Sequence, residues 1–220
     1  VAGVDIFKKD NLPYPVYPKF ENLPEADVII DFSSTANLSG LLEYAKAQKI
    51  PAVLATTGYS ESDIAAIKAA GKDVPIFFSA NMSLGVNLMI GLAKKATEIL
   101  GDDFDIEIIE KHHNQKVDAP SGTALMIANS VNETKQNKMV YEYDRHSKRQ
   151  KRAANEIGIH SVRGGTIAGE HEIIFAGAEE TVSIKHEAFS RSIFAAGAIK
   201  AAKFICGKPN GIYDMNDMIK

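Results

Sequence analysis

Three short runs early in the chain are apolar at nearly every position: 26–32 (ADVIIDF), 51–58 (PAVLATTG) and 75–80 (PIFFSA). A strand buried on one face alternates; continuous runs rich in β-branched and aromatic residues fit strands covered on both faces. Between them the period lengthens to that of a helix. Leu38, Leu41, Leu42 and Ala45 form one apolar stripe over 38–48, and Ser60 followed by Asp63 predicts a capped helix through Ala70. A long apolar helix is expected over 81–100. A strand ending in an acidic residue, VAGVD, is already under way at residue 1. Strands alternating with amphipathic helices predict α/β architecture, a Rossmann-like doubly wound parallel sheet.

After residue 100 the pattern changes. Residues 105–111 alternate like a strand, a helix starts near Ser121, and 129–155 is polar and irregular. Strand-like pieces follow at 156–163, 171–176 and 180–186, close enough in sequence to expect antiparallel pairing. An Ala-rich helix over 190–206 and the segment GIYDM close the chain. These elements predict a second, α+β part with a mixed or antiparallel sheet.

In an open α/β sheet ligands sit outside the carboxyl ends of the strands. The loops there hold Asp5, Phe32-Ser33-Ser34, Ala55-Thr56-Thr57-Gly58 and Ser79-Ala80-Asn81-Met82. Asp5 is placed to accept hydrogen bonds from a ribose diol, and the small residues let a flat cofactor approach the backbone. The Gly-rich phosphate loop that normally precedes such an acidic residue is not in this sequence. It is expected in a preceding strand and helix, a βαβ start of roughly 30–40 residues. By this reading the sheet is incomplete at its N-terminal side, with a hydrophobic gap between its halves.

The stretch EKHHNQKVDAPSGTA, 110–124, carries more specific chemistry. A strand delivers His112 and His113 to its C-terminal mouth, and Ser121-Gly122-Thr123 opens a helix after Pro120. Amides and dipole at a helix start attract anions, and Lys116 adds a full positive charge. A small substrate with one or two carboxylates fits, and histidine supplies a proton near neutral pH. HisHis followed by lysine is poor spacing for zinc, so no metal is assigned. The basic run RHSKRQKR, 145–152, reads as a solvated loop, and His160, His171 and His186 as structural residues. Cys206, on the Ala-rich helix, reads as a buried thiol.

Composition narrows the setting. The chain has 220 residues, 45% of them hydrophobic, a net charge of −3 and one cysteine. Slight acidity argues against nucleic acid as a partner, and no apolar run approaches the roughly 20 residues of a membrane span. A lone cysteine and no secretory leader fit a cytoplasmic protein.

Residues 110–124 resemble the signature of the dihydrodipicolinate reductase family, E-x-H-H-x-x-K-x-D-A-P-S-G-T-A, at every fixed position. DFS at 31–33, ATTG at 55–58, SANMSLGVN at 79–87, VRGGTIAGEH at 162–171, SRSIFAAGA at 190–198 and the closing GIYDM resemble it too. The resemblance implies reduction of a cyclic dicarboxylate, in lysine and diaminopimelate biosynthesis, by hydride from NADH or NADPH. It implies that His112 is the catalytic proton donor and acceptor and Lys116 a proton-donating lysine. His113, Lys116, Gly122 and Thr123 would hold the substrate carboxylates. Asp5, Ala55, Thr56, Thr57, Ser79, Ala80, Asn81 and Met82 would contact the dinucleotide. An unphosphorylated ribose suits Asp5; a 2′-phosphate suits Lys8 and Lys9. The resemblance further implies a homotetramer assembled through sheets of the second domain, and a last helix that returns to the first. The expected domains are 1–83 with 193–220 for the dinucleotide, and 84–192 for substrate and assembly. Ala55, Met82 and Thr166 depart from the glycine, aromatic and acidic residues common in the family. Competing readings are another two-domain NAD(P)-dependent dehydrogenase and an inactive fragment without its phosphate loop.

Overall fold

The computed structural model describes residues 1–7 and 11–219; Lys8 and Lys9 lie outside them. The strands and helices run β1 (Gly3–Val4), β2 (Val16–Tyr17), β3 (Ile29–Asp31), α1 (Leu38–Gln48), β4 (Ala52–Leu54), α2 (Glu61–Ala70), β5 (Pro75–Phe78) and α3 (Leu84–Leu100). Then come β6 (Asp105–His112), α4 (Gly122–Thr134), β7 (Val140–Glu142), β8 (Glu156–Arg163), β9 (Gly169–Ala176), β10 (Thr181–Ala188), α5 (Ser192–Ile205), β11 (Gly211–Tyr213) and α6 (Met215–Ile219). The chain forms two compact units, Val1–Met82 with Phe194–Lys220, and Ser83–Ile193.

The first unit holds a parallel four-stranded sheet in the order β11-β5-β4-β3. One face carries the apolar stripe of α1, with Leu38, Leu41, Leu42 and Ala45 against Ala52, Leu54, Ile76 and Ile67 of α2. Val53 and Phe77 point the other way; the ring of Phe77 meets Phe204 of α5 edge-on at 6.1 Å. The sheet is therefore covered on both sides, which is why its strands read as unbroken apolar runs. Ser60 caps α2 in a reciprocal box with Asp63. Strands β1 and β2 pair with each other in a separate parallel ribbon. A groove of about 600 Å³ lies between that ribbon and β3, lined by Val4, Val28, Ile30 and Phe32 among others.

The second unit is a five-stranded mixed sheet in the order β10-β9-β6-β8-β7. Its core packs Met89 and Ala93 of α3 and Ala124, Ile127, Ala128 and Val131 of α4 onto Ile106, Ile108, Ile157, Ile159, Ile173 and Phe175. Two expectations need correction. Only β9 and β10 pair antiparallel among the three late strands; β8 lies parallel to β6 and β7. The intervening α4 supplies the crossover that a parallel β6–β8 pair needs. The polar stretch 129–155 also contains the end of α4 and the strand β7, whose Val140-Tyr141-Glu142 is too short to declare a period.

Candidate functional site

Strand β6 alternates buried and half-buried positions and brings Glu110, fully buried, and His112, near its end, onto one face. Glu110 is the hub of the polar network on that face. Its Oε1 accepts from Arg163 Nη2 at 2.6 Å and from the Ser121 amide at 3.1 Å. Its Oε2 accepts from Arg163 Nη1 at 2.8 Å and from His112 Nδ1 at 2.6 Å. Burial alone would raise this carboxyl, but hydrogen bonds from Arg163, His112 and Ser161 outweigh it and hold the pKa down at about 2. Glu110 is thus an anion at neutral pH, and the nitrogen of His112 facing it is a donor.

The other edge of His112 faces glycine. A methyl group placed on Gly169 would lie 3.2 Å from His112 Nε2, so the bare backbone there leaves that nitrogen room. His171 stands beside it, the two rings edge-to-face with centroids 5.2 Å apart. Burial and the neighbouring charge of His112 push His171 down to about 4, so it is neutral at ordinary pH. Its Nε2 lies 2.9 Å from Ser121 Oγ. That hydroxyl also accepts from the Ala124 amide and so caps α4. Lys116 follows in the loop after β6, its amide donating to the His113 carbonyl at 3.2 Å. Lys116 Nζ pairs with Asp118 Oδ1 at 2.8 Å and lowers that carboxyl. Arg163 Nη2 donates to the Asp118 carbonyl at 2.7 Å, tying this loop to β8.

Gly122 is exposed at the first turn of α4, with nothing near its Cα to block an approaching anion. Thr123, next in the helix, and His113, after the end of β6, are half-buried. Through Glu110 and Arg163 the imidazole of His112, the Ser121 amide at the start of α4 and the Asp118 partner of Lys116 belong to one connected network in the second unit. Glu110, Arg163, Ser121 and His171 carry this geometry without having been singled out as site residues. Glu110 and Ser121 lie within the signature itself; the His171 and Arg163 partnerships span 50 and 53 residues, which no local pattern reveals.

In the first unit the expected cofactor residues follow the ends of β1, β4 and β5. Asp5 is exposed and its carboxylate accepts from the Phe7 amide at 2.9 Å. Thr57 and Ala80 are exposed, Ser79 is half-buried, and Ala55, Thr56, Asn81 and Met82 are buried. Thr56 Oγ1 and Tyr59 Oη donate to buried Asp31 at 2.7 and 3.2 Å. Burial and the Asp31 charge push the Tyr59 phenol well above its ordinary value, so it stays a donor. Gly58, at φ +84°, turns the chain where a side chain would be strained. Small residues and backbone at strand ends suit a flat nucleotide; the buried members shape this rim from beneath.

Other residues fall differently from expectation. Cys206 is exposed, not buried, and lies just past the end of α5, whose Ala198, Ala201 and Ile205 are buried. The 145–152 run is not merely solvated: Arg145 reaches Glu107 and Glu156, Arg152 reaches Glu107 and Asp105, and Lys148 pairs with Glu142. His160 pairs with Glu107 at 2.8 Å, and His186 packs against Gly85. Among the described residues no cluster of potential metal ligands is present, and no helix is long and apolar enough to cross a membrane.

Comparison with known proteins adds a consistent pattern. Residues 3–82 match the family described as dihydrodipicolinate reductase, N-terminus, and residues 85–219 match dihydrodipicolinate reductase, C-terminus. The 4-hydroxy-tetrahydrodipicolinate reductase of Caldanaerobacter subterraneus subsp. tengcongensis is 52% identical over 223 aligned positions, covering all of this chain and 87% of that protein. The enzyme of the same name from Clostridium novyi is 50% identical over 224, again with 100% and 87% coverage. Among solved structures, dipicolinate-bound dihydrodipicolinate reductase from Paenisporosarcina sp. TG-14 has a TM-score of 0.80 at 24% identity, covering 98% of this chain and 88% of that one. Myo-inositol 2-dehydrogenase from Lactobacillus plantarum shares the fold more loosely, with a TM-score of 0.58 at 11% identity and coverage of 100% and 85%.

Proposed function

The chain belongs to the dihydrodipicolinate reductase family, and we propose that His112, Lys116 and the start of α4 are where it reduces its cyclic dicarboxylate substrate. It is a nicotinamide-dependent oxidoreductase of lysine and diaminopimelate biosynthesis. When bound, the nicotinamide supplies a hydride. As electron density rises on the substrate ring, a proton must reach it. His112 Nε2 is the donor, since Nδ1 is committed to Glu110. Lys116 exchanges Asp118 for substrate, stabilises the developing charge and serves as a second proton source. Substrate carboxylates take the amides of Gly122 and Thr123, with His113 at their edge. The observation that carries this reading is the network through Glu110 and Arg163 that ties the His112 imidazole, the start of α4 and the loop of Lys116 together.

Dipicolinate, the molecule bound in the Paenisporosarcina structure, is a planar ring with two carboxylates and matches that charge pattern. Asp5, Ala55, Thr56, Thr57 and the segment Ser79, Ala80, Asn81 and Met82 form the nucleotide rim, either by contact or by holding those that touch it. Either NADH or NADPH serves, with the Asp5 carboxylate favouring an unphosphorylated ribose. The sheet face turned away from α3 and α4 assembles a homotetramer, in the cytoplasm. The test is a coupled assay with freshly generated substrate and each reduced nucleotide in turn. Substrate-dependent nucleotide oxidation, at lower KM for NADH, is expected; oxidation unaffected by omitting the substrate would contradict the proposal.

A further inference from the structure

We propose that Glu110 and Arg163 are a positioning pair that locks His112 in the Nδ1–H tautomer, so that Nε2 is the nitrogen exchanging protons at the site. The inference rests on the reading of His112 as proton donor, but its test does not.

The argument is one of counting donors. A carboxylate offers about four acceptor positions. At Glu110 two guanidinium nitrogens, an amide and the His112 ring lie at 2.6, 2.8, 3.1 and 2.6 Å, and the Ser161 hydroxyl is a further partner. Arg163 and the amide of Ser121 can only donate, so they turn both oxygens of Glu110 into fixed acceptors. The ring nitrogen facing Oε2 must then carry its hydrogen whether the imidazole is charged or neutral. Without this pair a neutral histidine chooses its tautomer freely. The planar fork of Arg163 suits the task better than a lysine would, because it meets both oxygens at once. Arg163 also holds the Asp118 carbonyl, so the same guanidinium sets the loop that carries Lys116. One cation thereby contacts both the carboxylate that holds His112 and the loop that carries Lys116.

Histidine tautomers are read directly from long-range nitrogen–proton NMR spectra. The whole protein is labelled with ¹⁵N-histidine, and the His112 signals are identified as those lost in His112→Gln. In the neutral ring, Nδ1 is expected to be the protonated nitrogen. A neutral His112 carrying its hydrogen on Nε2 overturns the proposal, even if His112→Gln abolishes turnover and the catalytic reading stands. Glu110→Gln supplies a single acceptor oxygen to the same donors, so both tautomers should appear. Its kcat should fall by up to about 100-fold, within the 10²–10⁴ that a general acid contributes, while substrate KM changes little. Arg163→Lys keeps the charge without the fork and tests the same point if Glu110→Gln does not fold. An undisturbed tautomer in a folded Glu110→Gln or Arg163→Lys shows that the pair is only structural.

Discussion

Asp5 and Glu110 are both carboxylates near the C-terminal end of a strand, and little else about them is alike. Asp5 is exposed and accepts one local amide. Glu110 is sealed from solvent and joins β6 to β8, to the start of α4 and to His112. The difference runs through both units. The nucleotide rim proposed for the first is made of strand-end loops whose polar groups serve each other, as Thr56 and Tyr59 serve Asp31. In the second, charges are buried, paired and cross-linked through residues far apart in sequence. A rim that binds a cofactor needs shape and accessible backbone; a group that moves a proton needs fixed orientation and controlled charge. Burial supplies the second at a cost in desolvation that only dense pairing offsets.

The sharpest way to break this contrast is to separate chemistry from cofactor binding. His112→Ala and Lys116→Ala should each lower kcat by roughly 10²–10⁴ while the Kd for NADH, followed by fluorescence, stays at the wild-type value. A comparable loss of NADH affinity would dissolve the distinction between the two regions. Next in size is stability. Arg163→Ala leaves a buried carboxylate without its partner and should cost about 3–5 kcal/mol in urea unfolding. Asp5→Asn, made in parallel, should unfold like the wild type.

Acid should attack the second unit in two steps of the same sign. His171 is neutral when folded, held near 4 against an ordinary 6.5, so the unfolded chain takes up its proton first. Roughly 3 kcal/mol present above about pH 6.5 is lost as pH falls through 4. Glu110, held at about 2 against 4.5, loses a similar roughly 3 kcal/mol as pH falls from about 4.5 through 2. Urea midpoints measured against pH should decline over both windows, and His171→Leu should flatten the upper one. The smallest effect compares two serines that cap helices. Ser60→Ala in the first unit should cost about 1 kcal/mol. Ser121→Ala should cost about 1–3 kcal/mol more, because buried His171 Nε2 also loses its hydrogen-bond partner. Equal losses would show that the second unit is no more interlocked than the first.

The same contrast explains what could be read from sequence. The helix over 38–48 and the Ser60–Asp63 box were legible because a stripe and a cap are local patterns. So was the strand over 156–163. Its parallel partnership with β6 was not, since strand direction is decided by the intervening chain and its packing. At the candidate site the signature pointed to His112, Lys116 and the helix start, but not to how they are held. Glu110 opens that signature as one more charged residue; only its burial and the return of Arg163 from β8 turn it into an anchor. Cys206 was misplaced because the Ala-rich pattern does not mark where the helix stops, and α5 ends at Ile205.

Calorimetric titration of dipicolinate tests the central assignment most directly, since it asks only whether a ring with two carboxylates settles beside the ammonium. The wild-type protein should bind it saturably, and Lys116→Ala should bind at least about tenfold more weakly, the effect of losing roughly 1.4 kcal/mol. Equal affinity for dipicolinate with and without the ammonium would contradict the account.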